Sequence, residues 1–347
     1  MSTALKVGVM GYGLAGATFH APVIEHCGRA EVTAIATSQA ERATADYPNA
    51  RIVADFEALL AVDGLECVVV ATPNDTHFDL AHRALSAGKH VVVDKPVTLS
   101  ARDARTLADL AAQRGLVFAP FHNRRWDGDF MTLRRLVDEG AVGEPLRLES
   151  RFDRWRPEVD AGRWREGGGP EDAGGVLFDL GPHLIDQALV LLGPARSVYA
   201  EVRALRPGAQ VDDDFFVALE HGSGARSHLW GTMLAAQPGP RLRALGTRAA
   251  YVKWGLDVQE DQLRAGESPR DAGFGEEPES AWGRLGTEEH AEQVPTERGR
   301  YVEFYEQVER AIRSSEPPPV PLSAGIETLR VIEAARRSSA ERDVVPL

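Results

Sequence analysis

Between Leu5 and Ala119 apolar residues arrive in short unbroken runs: Leu5–Met10, Glu31–Ala36, Glu66–Ala71, His90–Val93 and Leu116–Ala119. Continuous β-branched runs suit strands covered on both faces, as a parallel sheet requires. Between them apolar positions recur at helical spacing, as at Ala104, Leu107, Ala108 and Ala111. Ser100 is placed to N-cap that segment and Gly115 to stop it. The alternation predicts a doubly wound α/β domain over residues 1–122.

From Asn123 the pattern changes. Helical spacing over Met131–Glu139 leads into Leu146–Phe152, where polar and apolar residues alternate as in a half-exposed strand. Further strands are predicted over Ser197–Arg203, Phe215–Glu220, Ala225–Thr232, Arg241–Gly246 and Ala249–Lys253, with one helix at about Pro182–Leu192. Strands in succession predict an α+β domain on an open, largely antiparallel sheet, spanning residues 123–347. Two helices close the chain, Tyr301–Arg313 and Ser323–Ser338, and the C-terminal one is expected to pack back on the first domain. Residues 257–297 hold 12 Asp or Glu against three Arg, with five Gly and three Pro. They predict a long solvated loop with at most a short helix at Asp257–Ala265.

Length and composition narrow the function. A chain of 347 residues is too long for one ordinary core, so two domains are expected. The formal net charge of −13 argues against nucleic acid or an anionic membrane as the main partner, and −9 of it sits in residues 257–297. Cys27 and Cys67 are the only cysteines; both lie in apolar runs and read as buried, inert thiols. No apolar stretch approaches the ~18 residues of a membrane span, and the N-terminus lacks a secretory pattern, so a cytoplasmic protein is expected.

Gly11-Tyr12-Gly13-Leu14-Ala15-Gly16 follows the first strand and opens a helix. The first glycine permits the turn, the second lets backbone approach a pyrophosphate, and the third lets helix pack on strand; this is the dinucleotide motif of a Rossmann fold. The second strand then bears on the choice of nucleotide. NAD enzymes usually end it in a carboxylate, whereas this chain reads Ala36-Thr37-Ser38-Gln39-Ala40-Glu41-Arg42. Hydroxyls at Thr37 and Ser38, with Arg42 nearby, favour NADP; the alternative is NAD, served by Glu41 or a water network. Lys95, between a Val run and Pro96, and Thr72-Pro73-Asn74 stand at carboxyl ends of strands, where open α/β sheets bind ligands. Asp179 and His183, four residues apart, can face one cleft, and His is suited to proton transfer near neutral pH.

Taken together, the glycine motif, Ala71-Thr72-Pro73-Asn74-Asp75-Thr76-His77, Asp94-Lys95-Pro96 and Asp179-Leu180-Gly181-Pro182-His183 resemble the glucose–fructose oxidoreductase/inositol dehydrogenase (Gfo/Idh/MocA) family across the whole chain. One departure is Asp94, where that family commonly has Glu. The resemblance implies hydride transfer with His183 as proton acceptor or donor, Asp179 binding substrate and Lys95 assisting. It further implies a cis Lys95–Pro96 bond, and a cofactor surface that includes His77, Asp94, Pro96 and Asn123. Asn123-Arg124-Arg125-Trp126-Asp127 and Phe152-Asp153-Arg154-Trp155-Arg156-Pro157 resemble the NADP-dependent scyllo-inositol dehydrogenase branch. That implies a cyclic polyol or sugar substrate read by Arg125, Trp126, Asp153, Trp155 and Arg156. Arg163 and Trp164 are expected to close over the site, with Gly167–Gly169 as a mobile flank. Asp186 is expected to orient the helix.

As metal ligands His77, His82 and His122 lack carboxylate or Cys partners, and no metal site is expected. Two rival readings stand beside the polyol dehydrogenase: a reductase of another sugar ketone or carbonyl compound, and a non-catalytic NADP-binding regulator. The exposed face of an open sheet usually finds a partner, so a homodimer or homotetramer is expected.

Overall fold

The computed structural model describes residues 4–160, 162, 166 and 174–347. Arg163, Trp164 and Gly167–Gly169 lie outside them. The chain divides into two compact units: Met1–Trp126 with Gln259–Gly275 and Arg300–Ile326, and the remainder.

The first unit carries six parallel strands in the order β3-β2-β1-β4-β5-β6: β1 Leu5–Met10, β2 Ala30–Ala36, β3 Arg51–Val53, β4 Cys67–Val70, β5 His90–Val93 and β6 Phe118–Pro120. This is the Rossmann order, and its direction reverses between β1 and β4, where nucleotides bind. Val7, Val68, Val69 and Val92 are fully buried, which is why these strands show no alternation. Burial also pushes the Cys67 thiol up to about 12, so it is inert. Helices α1 (Ala21–His26), α2 (Ala40–Asp46), α3 (Phe56–Leu60), α4 (His77–Ser86) and α5 (Ala101–Arg114) connect the strands. In α5 the Ser100 hydroxyl accepts from the Asp103 N–H at 3.1 Å, and Gly115 ends the helix in the left-handed region at φ 63°. Strand β3, only three residues long, was too short to be anticipated.

In the second unit come α6 (Gly128–Asp138), β7 (Pro145–Asp153), α7 (Val176–Leu192), β8 (Ala195–Arg203), β9 (Asp214–His221), β10 (Arg226–Thr232), β11 (Leu242–Gly246) and β12 (Ala250–Lys253). All the predicted strands are present. They join a nine-stranded sheet, antiparallel except for the β7–β10 pair. Strand β9 alternates half-exposed and buried positions along its length. The inward residues, among them Phe215, Val217 and Leu229, meet α7, whose Leu184 and Ile185 are fully buried.

Two expectations are corrected. Helix α7 starts at Val176, six residues before Pro182, because a remote residue caps it: the Leu177 N–H donates to Asp212 Oδ2 at 2.7 Å and Val176 N–H to Asp212 O at 2.9 Å. Residues 257–297 are no plain loop. After α8 (Gln259–Arg264) they add β13 (Gly283–Gly286) and β14 (Ala291–Val294) to the β12 edge. Several of their acids are structural. Asp257 accepts the Gly128 N–H at 2.7 Å, and Glu277 meets the fully buried Lys253 ammonium at 3.0 Å. Polar strands such as Gly283–Gly286 show no period, so pairing partners decide them. Among the described residues the remaining α-helices are α9 (Val302–Ser314) and α10 (Leu322–Glu341), and β15 (Val345–Pro346) pairs with β8.

Candidate active site

In the first unit the glycine loop takes the conformation its residues require. Gly11 turns at φ 95° and its N–H donates to Ala36 O at 3.0 Å; a Cβ there would stand 2.5 Å from Ala71 O. A Cβ on Gly16 would stand 2.0 Å from Gly11 O. By contrast a Cβ on Gly13 would meet nothing within 4 Å, so the second glycine leaves open space on the outer side of the turn. Leu14 lies 47% exposed beside it, and Ala15 starts a π-helical turn, Ala15–His20, that runs into α1. A backbone cradle with one open side fits a dinucleotide pyrophosphate.

Strand β2 delivers Thr37 and Ser38 to the same end of the sheet. Thr37 Oγ1 accepts from the Gln39 N–H at 2.9 Å, and Arg42 projects from the first turn of α2, half exposed. No carboxylate occupies position 37 or 38. From the ends of β4 and β5 come Thr72-Pro73-Asn74 and Asp94-Lys95-Pro96. Pro73 is exposed, Asn74 and Lys95 are buried, and the Lys95–Pro96 bond is cis. His77 ties the two loops together, with Nε2 2.9 Å from Thr72 O and Nδ1 2.8 Å from Pro96 O. A neutral ring donates to only one of these, and burial lowers the His77 pKa. His77 is thus fully buried behind the loops. The Lys95 N–H donates to Asp94 Oδ1 at 2.8 Å, so Asp94 shapes the lysine's own turn.

Asn123 and Trp126 are buried, and Arg125 is half-buried. The Trp126 ring packs edge-on against Phe304, centroids 5.6 Å apart, and its carbonyl accepts from Gln259 Nε2 and Arg300 N. Trp126 therefore has a core position in this unit. The neighbouring Arg124 pairs with Glu260 at 2.6 Å, and that guanidinium holds the Glu260 carboxyl below its usual range against the opposing pull of burial.

The second unit supplies the residues suited to proton transfer. Asp179, in the first turn of α7, and His183, one turn on, are four residues apart and share a face. His183 is 7% exposed, its ring 6.2 Å from that of Phe152 on β7. Asp186 is buried. Asp179 Oδ2 lies 3.7 Å from Nη1 of Arg154, which follows β7. Asp153 Oδ2 accepts the Gly239 N–H at 2.8 Å, while Trp155, at 57% exposure, and Arg156 reach solvent.

Behind these side chains stands a set of buried charges that sequence reasoning missed. Arg241 donates to Gln187 Oε1 on α7 at 2.8 Å, donates to Ser150 on β7, and lies 3.8 Å from Asp129 on α6. Arg206 donates to the carbonyls of Arg156 and Glu158 at 3.1 and 3.0 Å, and to Asp213 Oδ2 at 2.9 Å. Adjacent Asp212 and Asp213 thus hold the start of α7 and, through Arg206, the Trp155–Glu158 stretch. The only sequence signal was Asp212-Asp213-Asp214 before a strand, which reads as surface charge. Among the described residues no group of three or more His, Cys, Asp and Glu is placed to hold a metal ion.

Comparison with known proteins fits this geometry. Residues 5–122 match a family model described as "Oxidoreductase family, NAD-binding Rossmann fold", and residues 134–347 one described as "Oxidoreductase family, C-terminal alpha/beta domain". The chain is 37% identical to scyllo-inositol 2-dehydrogenase (NADP(+)) IolW of Bacillus subtilis, covering 99% of this chain and 96% of that protein. It is 42% identical to the uncharacterized oxidoreductase YdgJ of Escherichia coli, covering 99% and 98%. The solved structure of the putative oxidoreductase yvaA from Bacillus subtilis superposes with a TM-score of 0.95 at 36% identity, covering 99% and 98%.

Proposed function

The chain belongs to the Gfo/Idh/MocA oxidoreductase family, with an NAD-binding Rossmann domain, and on that premise we propose an NADP-dependent dehydrogenase of a cyclic polyol or sugar. The observation that carries the reading is the Asp179–His183 face of α7. A regulator that only sensed NADP needs neither a proton carrier nor a substrate carboxylate there.

Gly11–Gly16 would hold the pyrophosphate, Thr37, Ser38 and Arg42 the 2′-phosphate, and Thr72–Asn74 with Asp94–Pro96 the nicotinamide-ribose side. The bound nicotinamide supplies the hydride acceptor. His183 takes the hydroxyl proton at an imidazole nitrogen as the alcohol carbon loses hydride, and returns it in the reductive direction. Asp179 accepts a hydrogen bond from a substrate hydroxyl, and Arg154, 3.7 Å away, orients that carboxylate. The Lys95 ammonium binds and polarises the reacting oxygen. Asp153, Trp155 and Arg156 read the remaining hydroxyls and the apolar face of the ring. Two features support NADP: no carboxylate at position 37 or 38, directly after β2, and the name of the Bacillus subtilis relative. On the sheet face turned away from α7, Phe216 and Trp230 lie 5.2 Å apart, which supports self-association into a dimer or tetramer.

The test is a panel of inositols and sugars with NADP and NAD, followed by absorbance in both directions. We expect turnover of a cyclic polyol with NADP. A clear preference for NAD would sink the NADP assignment, and silence across the panel would leave the regulator.

A further inference from the structure

Tyr12 stands between the first two glycines of the phosphate loop, yet its side chain turns inward and is 2% exposed. Its phenol donates to Asp46 Oδ2, 2.8 Å away at the end of α2. The same oxygen lies 3.6 Å from Nε of Arg42, one helical turn earlier. Arg42 also lies over the Tyr12 ring, its guanidinium carbon 5.4 Å from the centroid, with Nη1 3.4 Å from Gln39 Oε1. Gln39 Nε2 in turn donates to Tyr12 O at 3.1 Å, and Tyr47 packs edge-on against Tyr12 at 6.1 Å.

An Asp and an Arg four residues apart on a helix can close into a hydrogen-bonded pair, as Asp79 and Arg83 do at 3.0 Å, and an arginine so engaged offers less charge to an incoming phosphate. Here Arg42 and Asp46 form an ion pair without a hydrogen bond. The phenol occupies Oδ2 at hydrogen-bond distance, and Arg42 Nε stands beyond it. The guanidinium keeps an aromatic floor instead, with 54% of its side chain exposed. Burial first, and Asp46 second, push the Tyr12 phenol well up from its usual value, so it stays protonated and a donor throughout the working range.

We propose that the Tyr12–Asp46 hydrogen bond is a specificity device for the cofactor: it draws Asp46 off Arg42 and leaves the guanidinium for the adenosine 2′-phosphate. Tyr12 is the positioning residue, and Asp46 is a brake on NADP affinity whose strength the phenol sets. The inference rests on the NADP reading above.

The experiment titrates the full-length protein with NADPH and with NADH, following nicotinamide fluorescence, for wild type, Tyr12→Phe, Asp46→Asn and the double variant. Tyr12→Phe keeps the ring and frees Asp46 to close on Arg42. The Kd for NADPH should rise about fivefold while that for NADH stays put. Asp46→Asn keeps an acceptor for the phenol but removes the charge, and should tighten NADPH about threefold, less at high salt. With Asp46 neutral the phenol has nothing to restrain, so adding Tyr12→Phe should cost less than about twofold. An unchanged NADPH-to-NADH ratio in Tyr12→Phe overturns the inference. So does equal weakening of both nucleotides, which marks the phenol as merely structural, or the same loss in both Asp46 backgrounds. A wild-type protein that prefers NADH removes the NADP reading and this inference with it. A wild type that prefers NADPH, with variants of unchanged preference, removes the inference alone.

Discussion

In the six-stranded sheet Val68, Val69, Val91 and Val92 are covered on both faces, so only strand ends and the loops beyond them meet a ligand. In the nine-stranded sheet every second residue of β9 turns outward, and the inward face is spent on packing α7. On the proposed function the first arrangement would hold the pyrophosphate with backbone: Gly11 makes the turn and Gly13 leaves open space, while the long side chains act only at the two ends of the cofactor, Arg42 at one and Lys95 at the other. On the same proposal the second would recognise with side chains on a helix and a strand end, which must be aimed from behind. Arg241, Arg206, Asp212 and Asp213 do the aiming, from burial. Cofactor binding should therefore be fragile to added atoms, and substrate chemistry to lost charges.

The largest expected effect tests the buried side of that contrast. Arg241→Met keeps bulk but strands Asp129, which is fully buried, and removes donors from Ser150 and Gln187. Denaturant unfolding should show a loss of about 3–5 kcal/mol; a loss under 1 kcal/mol would mean that this charge network is not what holds α7. Next comes a pH effect in the first unit. His20, with Nδ1 2.6 Å from the Tyr305 hydroxyl, is fully buried, and burial pushes its pKa from 6.5 down to about 4. As pH falls below 6.5 the unfolded chain takes up a proton that the folded chain refuses. Stability should then drop by up to about 3 kcal/mol between those values, with little dependence from this group above or below them. Replacing His20 by Gln should flatten the unfolding free energy over that window relative to wild type, and an unchanged slope refutes the assignment.

His183→Ala should lower turnover about 10²-fold or more, with nucleotide Kd unchanged; near-normal turnover would dismiss it as the proton carrier. The smallest effect is also the most selective. Gly13→Ala adds a methyl into open space, so the melting temperature should hold while NADPH affinity falls about tenfold. Gly16→Ala, whose methyl would overlap Gly11 O, should lose about 1–3 kcal/mol of stability as well. Equal behaviour of the two glycines would erase the distinction between cradle and packing.

Much of the cofactor side was readable from residue order. Leu5–Met10 and His90–Val93 appear where their apolar runs stand, and Ser100 and Gly115 cap α5 as their types demand. The polar additions were not readable. Gly283–Gly286 and Ala291–Val294 become strands through β12, and α7 starts early through Asp212, which lies 36 residues beyond Val176. Trp126, grouped with Arg125 by composition, lies instead against Phe304.

By itself the sequence determined the parallel sheet, its glycine turn and the Asp179–His183 spacing, because these follow from local sterics and from the periods of strand and helix. Tertiary structure alone decided which charges are buried and whom they hold. Arg241, Asp212, Lys253 and Tyr12 look like ordinary surface or loop residues until folding removes their water, and an ion or phenol without water must take whatever partner the fold presents.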